Sequence, residues 1–189
     1  MPKYVTGVGN RDVSPDGAKR ITKAAKLLEQ AGYILRSGGA DGCDTLFEHN
    51  MTRKEIYLPW RGFNHNTSNF YQVSKDAFQI ASTVHPRFKY LSPTAQKLHA
   101  RNVYQVLGWN MDSPSDILVC WTRDGCTGEA SSSSETGGTR TAIVLADRHG
   151  IPIFNLKNDD DFSRLKNGSG AGNPCRIIFD LGFWHQIFS

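Results

Sequence analysis

The chain has 189 residues, enough for one α/β domain with a real hydrophobic core. Apolar residues make up 39% and charged residues 21%, an ordinary soluble composition, and no apolar run approaches the length of a membrane span. The formal charge of +4 suits an anionic ligand but is too small to demand a nucleic-acid partner.

The first apolar run, Tyr4 to Gly9, reads as a strand, and it is too short and too glycine-broken for a signal-peptide core. Cys43, Cys120, Cys126 and Cys175 form no C-x-x-C pair and no usual zinc spacing. A reduced, cytoplasmic setting is expected, with four buried free thiols. A helix follows the first strand. Ser14 suits its N-cap, Pro15 its first position and Gly32 its stop, while Ala18, Ile21, Ala25 and Leu28 fall on one face.

The second strand is Tyr33 to Leu35, and it runs into Arg36-Ser37-Gly38-Gly39-Ala40-Asp41-Gly42-Cys43-Asp44. A short helix, about Cys43 to Asn50, begins on that glycine loop. The third strand is Glu55 to Leu58, ending at Pro59-Trp60-Arg61-Gly62. A helix is expected around Phe70 to Ser82 and another over Pro93 to Leu107. Ile117 to Trp121 has no polar alternation and reads as a buried central strand. Residues 122–138 read as a flexible polar loop, Thr139 to His149 as a helix and Ile151 to Leu156 as a strand. Ile177 to Trp184 reads as an edge strand or short helix packed on the sheet. Alternating strands and helices predict a Rossmann-like α/β fold, a mostly parallel sheet with helices on both faces, in one domain spanning 1–189.

Ligands of such sheets gather beyond the carboxyl ends of the strands. The residues expected there are Gly9, Asn10 and Arg11 after the first strand, and Ser37, Gly38, Gly39, Ala40, Asp41 and Asp44 after the second. Trp60 follows the third; Thr122, Gly137, Gly138, Thr139 and Arg140 follow the Ile117 strand. Two glycine pairs before helices offer backbone N–H groups at positive helix ends, a ready anion site, although tight glycine turns are also what any parallel α/β fold requires. Neither turn has Walker A or G-x-G-x-x-G spacing. Asp41 and Asp44 suit helix-start acids, and Asp44 is the better candidate for a sugar hydroxyl or a general base. Arg101 and Asn102, mid-helix between apolar positions, either face solvent or point into the pocket. The six histidines show no metal-ligand spacing, and His99 stands apart only because it adjoins Arg101.

Several of these segments together resemble a known family. Ser37-Gly38-Gly39-Ala40-Asp41-Gly42-Cys43-Asp44 resembles the S-G-G-A-x-G-x-D signature of DprA/Smf proteins and of the wider SLOG superfamily, which includes the LOG and YspA-related groups. The segment from His99 to Gly108 resembles the R-N-x-x-x-x-L-[SG] segment of DprA-type domains. Asp116 to Thr122, then Gly137 to Leu156, resemble their strand, glycine turn, helix and last strand. Matching segments run from about residue 4 to 156, as in compact phage and plasmid relatives. The resemblance implies a Rossmann-like fold whose strand-end pocket binds nucleotides or nucleic acid. DprA relatives bind single-stranded DNA, LOG relatives cleave nucleoside monophosphates, and other SLOG domains sense nucleotide-derived signals. Where the LOG motif P-G-G-x-G-T-x-x-E has its proline, second-turn glycine and catalytic glutamate, this chain has Thr136, Arg140 and Val144.

The leading expectation is therefore a binding module for a nucleotide-derived ligand, without catalysis, metal or cofactor. The alternatives are DprA-like binding of single-stranded DNA, with Trp60, Phe63, Tyr104 and Arg101 as contacts, and a LOG-like N-glycosidase using Asp44 or Glu135. A homo-oligomer with no membrane partner is expected, with Ser131 to Glu135 as a lid or merely a long loop.

Overall fold

A computed structural model describes residues 2–167. Five strands, β1 (Lys3–Gly9), β2 (Tyr33–Ser37), β3 (Lys54–Ile56), β4 (Ile117–Trp121) and β5 (Ile153–Asn155), form one sheet in the order β3-β2-β1-β4-β5. All four pairings are parallel, with Val5 set opposite both Leu35 and Ile117. Every residue of β4 is buried, as its unbroken apolar run requires of a strand covered on both faces.

Helices α1 (Pro15–Gln30), α2 (Cys43–Asn50) and α6 (Asp159–Asn167) cover one face, and α3 (Lys75–Val84), α4 (Pro93–Leu107) and α5 (Arg140–Arg148) cover the other. Two apolar layers result. One holds Ile21, Leu28, Phe47 and Leu165 against β1 and β2; the other holds Ala81, Val103, Val106 and Ile143 against β1 and β4. The start of α1 is chemically specified: Pro15 sits in the first turn and the Ser14 hydroxyl accepts from Gly17 N at 3.1 Å.

Three expectations shift. The helix predicted from Phe70 starts at Lys75, where Ser74 caps it by accepting from Ala77 N. Phe70 instead forms an isolated parallel bridge with Tyr57, and the loop before it turns through left-handed Asn64 and His65. The second strand extends through Ser37, so Arg36 lies within the sheet, buried against Glu55 and the Tyr4 ring. Residues 122–138 are built rather than loose: Asp124 accepts from the hydroxyls of Ser133 and Thr136 and from Cys126 N, and a 3₁₀ turn over Ser134–Thr139 leads into α5. The predicted element at Ile177 to Trp184, and Cys175, lie outside the described residues. Cys43, Cys120 and Cys126 are buried and unbridged. Among the described residues no helix is long and apolar enough to cross a membrane.

Chain direction positions the site. From β1 the chain winds outward through β2 to β3. It then crosses back through α3 and α4 to enter the sheet as β4 on the other side of β1. Connections leave β1 and β4 in opposite directions, which opens a crevice at their carboxyl ends.

Candidate nucleotide-binding cleft

A cleft of about 260 Å³ opens at that crevice, between α4 and the start of α5. Its lining brings together nine of the residues expected at the strand ends or on the fourth helix: Gly9, Asn10, Arg11, Ala40, Asp44, Arg101, Asn102, Gly138 and Thr139. Val8, Ala95, Leu98 and Ala142 add apolar wall, and His99 and Gln105 add polar groups.

The first glycine turn is filled from within. Asp44, 4% exposed, accepts from Gly38 N at 3.1 Å and from Ala40 N at 3.4 Å, and its carboxylate stands 3.5 Å from Arg101 Nη1. A Cβ on Gly38 would coincide with the Arg101 guanidinium. Gly42, at φ +81°, would with any side chain collide with the backbone carbonyl of Arg11. The anion that these amides hold is thus the protein's own carboxylate, reaching back from the first turn of α2 to the turn before it, and the glycines make room for a side chain and a neighbouring loop. With its amide oxygen turned towards the donors, Gln105 accepts from Arg101 Nη1 at 2.9 Å and Gly38 N at 2.8 Å, and it donates to Asn102 Oδ1 at 3.0 Å.

The electrostatics follow from burial. Desolvation raises the Asp44 carboxyl, while Arg101 and the two amides act in the opposite direction. Arg101 is equally desolvated and stays charged, as guanidinium does in proteins. Glu48, one turn further along α2, is pushed up to about 7 by burial and by the Asp44 charge. Burial, the adjacent His85 ring and Arg101 bring His99 down to about 4, so a neutral imidazole lines the cleft, bonded to Thr141 Oγ1 at 2.7 Å.

The second glycine turn differs from the first. Gly137 and Gly138 are exposed, and nothing stands within 4 Å of where a Cβ on Gly138 would be. Asn102 Nδ2 donates to Gly138 O at 3.0 Å and Asn10 Nδ2 to Glu135 O at 3.1 Å, so α4 and the loop after β1 both brace this turn. Two polar atoms of the cleft have no hydrogen-bond partner among the described residues, the donor Arg101 Nε and the acceptor Asn10 Oδ1.

The remaining expected residues lie outside the lining. Ser37 donates to Gly7 O at 2.7 Å within the sheet. Gly39 turns away at φ +66° and its carbonyl accepts from Asn64. Asp41 is exposed. Thr122 is fully buried, accepting from Asn155 Nδ2 and Cys126 N. Arg140 donates to Val84 O and Ser132 Oγ, holding the loop to α3. Trp60 is 37% exposed, edge-on to Phe63. Phe63 and Tyr104 are themselves buried, so neither presents a free ring for stacking; Tyr104 packs on Tyr57 and its hydroxyl bonds Ser74. Val144 is fully buried in α5. Gln105 had a readable signal that the sequence reading did not use: Leu98, Arg101, Asn102 and Gln105 are spaced i, i+3, i+4, i+7, one face of a helix.

No protein-family model matches the sequence, and no curated protein matches it significantly. Among solved structures, the chain is similar to DNA processing protein A from Helicobacter pylori, described for its single-stranded DNA binding mode. The TM-score is 0.55 and the identity 18%, over 96% of this chain and 80% of that one. At that identity the likeness bears on the fold.

Proposed function

We propose that this chain binds single-stranded nucleic acid, seating one nucleotide in the cleft without breaking it. The observation that carries the reading is a pair of buried, unpartnered polar atoms on two residues that line the cleft, Arg101 Nε and Asn10 Oδ1. Leaving such groups unsatisfied costs about 1–3 kcal/mol each, and a nucleotide presents both an acceptor and a donor. Arg11, exposed at the rim, and the open Gly137–Gly138 turn before α5 suit phosphate oxygens. The neutral His99 and the apolar Leu98, Ala95 and Ala142 suit the flat face of a base. The shared fold of a protein that binds single-stranded DNA supports the same reading.

Binding without cleavage is favoured by how the one carboxylate on the wall is held. Asp44 is committed to two amides and Arg101, and Val144 occupies the place where LOG relatives carry glutamate. A free nucleotide is the second reading, favoured by a volume that suits a single nucleotide. Fluorescence anisotropy with a labelled 15-nucleotide oligomer, competed by nucleoside monophosphates, separates the two. The proposal predicts micromolar or tighter binding that weakens steeply with salt and resists mononucleotide competition. Equal competition by a mononucleotide would transfer the site to the second reading, and no salt-sensitive binding of the oligomer would end the proposal.

A further inference from the structure

Helix α1 carries Lys19, Lys23 and Lys26 on its exposed surface, spaced i, i+4 and i+7. They line a shallow groove with Thr22 and Leu27. None of the three makes an ion pair or hydrogen bond among the described residues. The neighbouring charges are treated differently. Arg20 on the same helix pairs with Asp16 at 2.8 Å and with Asp159 at 2.7 Å, and Glu29 accepts from Thr52. A helix face whose charges serve only solubility and stability interleaves opposite signs at i+4. Here Lys19 and Lys23 are like-charged at that spacing, which costs helix stability, about 0.2–0.5 kcal/mol per pair, with no ion-pair partner among the described residues to offset it.

The stripe is continuous with the cleft in the chain. Arg11 stands on the cleft rim, and α1 begins four residues later at Pro15, on the opposite face of the sheet from α4 and α5. With a rise of about 1.5 Å per residue, the lysines are about 6 Å and then about 4.5 Å apart along the axis. That places cations at intervals similar to successive phosphates of an extended strand.

We infer that the α1 lysines form a second contact surface, which tracks the phosphate backbone of a single strand as it leaves the cleft over Arg11. The inference rests on the single-strand reading of the cleft. Lysines suit this task because each acts as a mobile point charge that follows a backbone without reading its sequence.

The test compares labelled oligothymidylates of 4 and 20 nucleotides, binding the wild-type chain and the triple variant Lys19→Gln, Lys23→Gln, Lys26→Gln. These exposed positions leave the fold intact, and removing like-charge neighbours is expected to hold or slightly raise the melting temperature. The 4-mer, which reaches only the cleft, is expected to bind both proteins alike. The 20-mer is expected to bind the variant about ten- to a hundredfold more weakly at 0.1 M salt, with a log–log salt slope shallower by about 2, from three lost phosphate contacts at about 0.7 each. Unchanged 20-mer affinity and slope would overturn the inference while leaving the cleft reading in place. Failure of both oligomers to bind the wild type would bring down both. If the variant lost binding to anionic phospholipid vesicles and kept its 20-mer affinity, the stripe would belong to a membrane surface and the inference would be wrong.

Discussion

Gly38 lies where the guanidinium of Arg101 leaves no room for a Cβ, and the amide beside it is taken by Asp44. The glycine-rich sequence therefore advertises a tight turn correctly but does not reveal its occupant. The turn and the acid are six residues apart, whereas Arg101 comes from a helix far along the chain, and only folding brings the three together. The pair is an ion pair deep in the protein, both side chains about 5% exposed. Removing one member of such a pair strands the other, typically at about 3–5 kcal/mol. Asp44→Ala is accordingly expected to cost about 3–5 kcal/mol in urea unfolding, with Gly38 N and Ala40 N losing their acceptor as well. Adding Arg101→Met is expected to recover part of that loss, since the uncompensated charge is gone. Additive losses in the double variant would mean that the two residues are not energetically coupled.

At the scale of elements, the readable parts of the fold are those whose signals are local. Ser14-Pro15 set the start of α1, and the apolar run Ile117 to Trp121 coincides with β4. The limits of α4, Pro93 and Leu107, follow from Ser92 accepting from Ala95 N, Pro93 in the first turn and Gly108 at the C-cap, φ +76°. The illegible parts depend on distant partners. Phe70 has helical neighbours in sequence but is drawn into a bridge with Tyr57. The segment from 122 to 138 reads as loose because its residues are polar, yet those residues bond one another around Asp124. Against a burial penalty, the hydroxyls of Ser133, Thr136 and Thr122 hold the Asp124 carboxyl down to about 2, so it stays ionised at neutral pH and keeps accepting. Asp124→Ala is expected to release this loop and so unbrace the Gly137–Gly138 turn. Limited proteolysis should show cleavage within 123–136 at least severalfold faster than in wild type, with little change in global unfolding. An unchanged cleavage rate would show that Asp124 does not organise the loop.

For the whole molecule, the strand order β3-β2-β1-β4-β5 decides where function can sit. The reversal beside β1 gathers Asn10 and Arg11 from the loop after β1, Asp44 from the first turn of α2, Gly138 and Thr139 from the 3₁₀ turn before α5, and the inner face of α4. The location of the cleft was legible, because strand ends can be counted off the sequence and parallel sheets open such crevices there. Its selection among strand-end residues was not. Thr122 and Arg140 are of the same residue types as the cleft residues Thr139 and Arg11, and Ser37 ends β2 beside the first glycine turn. They are consumed by structural hydrogen bonds visible only in three dimensions.

The central claim is that a single strand occupies the cleft at the β1–β4 crevice. Photocrosslinking of a 20-nucleotide oligomer carrying 5-bromodeoxyuridine, followed by peptide mass spectrometry, tests it most directly. Crosslinks are predicted in the peptides containing Asn10–Arg11, His99–Asn102 and Gly137–Thr139. Crosslinks confined to other surfaces, such as α3 or the β3 edge around Trp60, with none in these three peptides, would contradict the account.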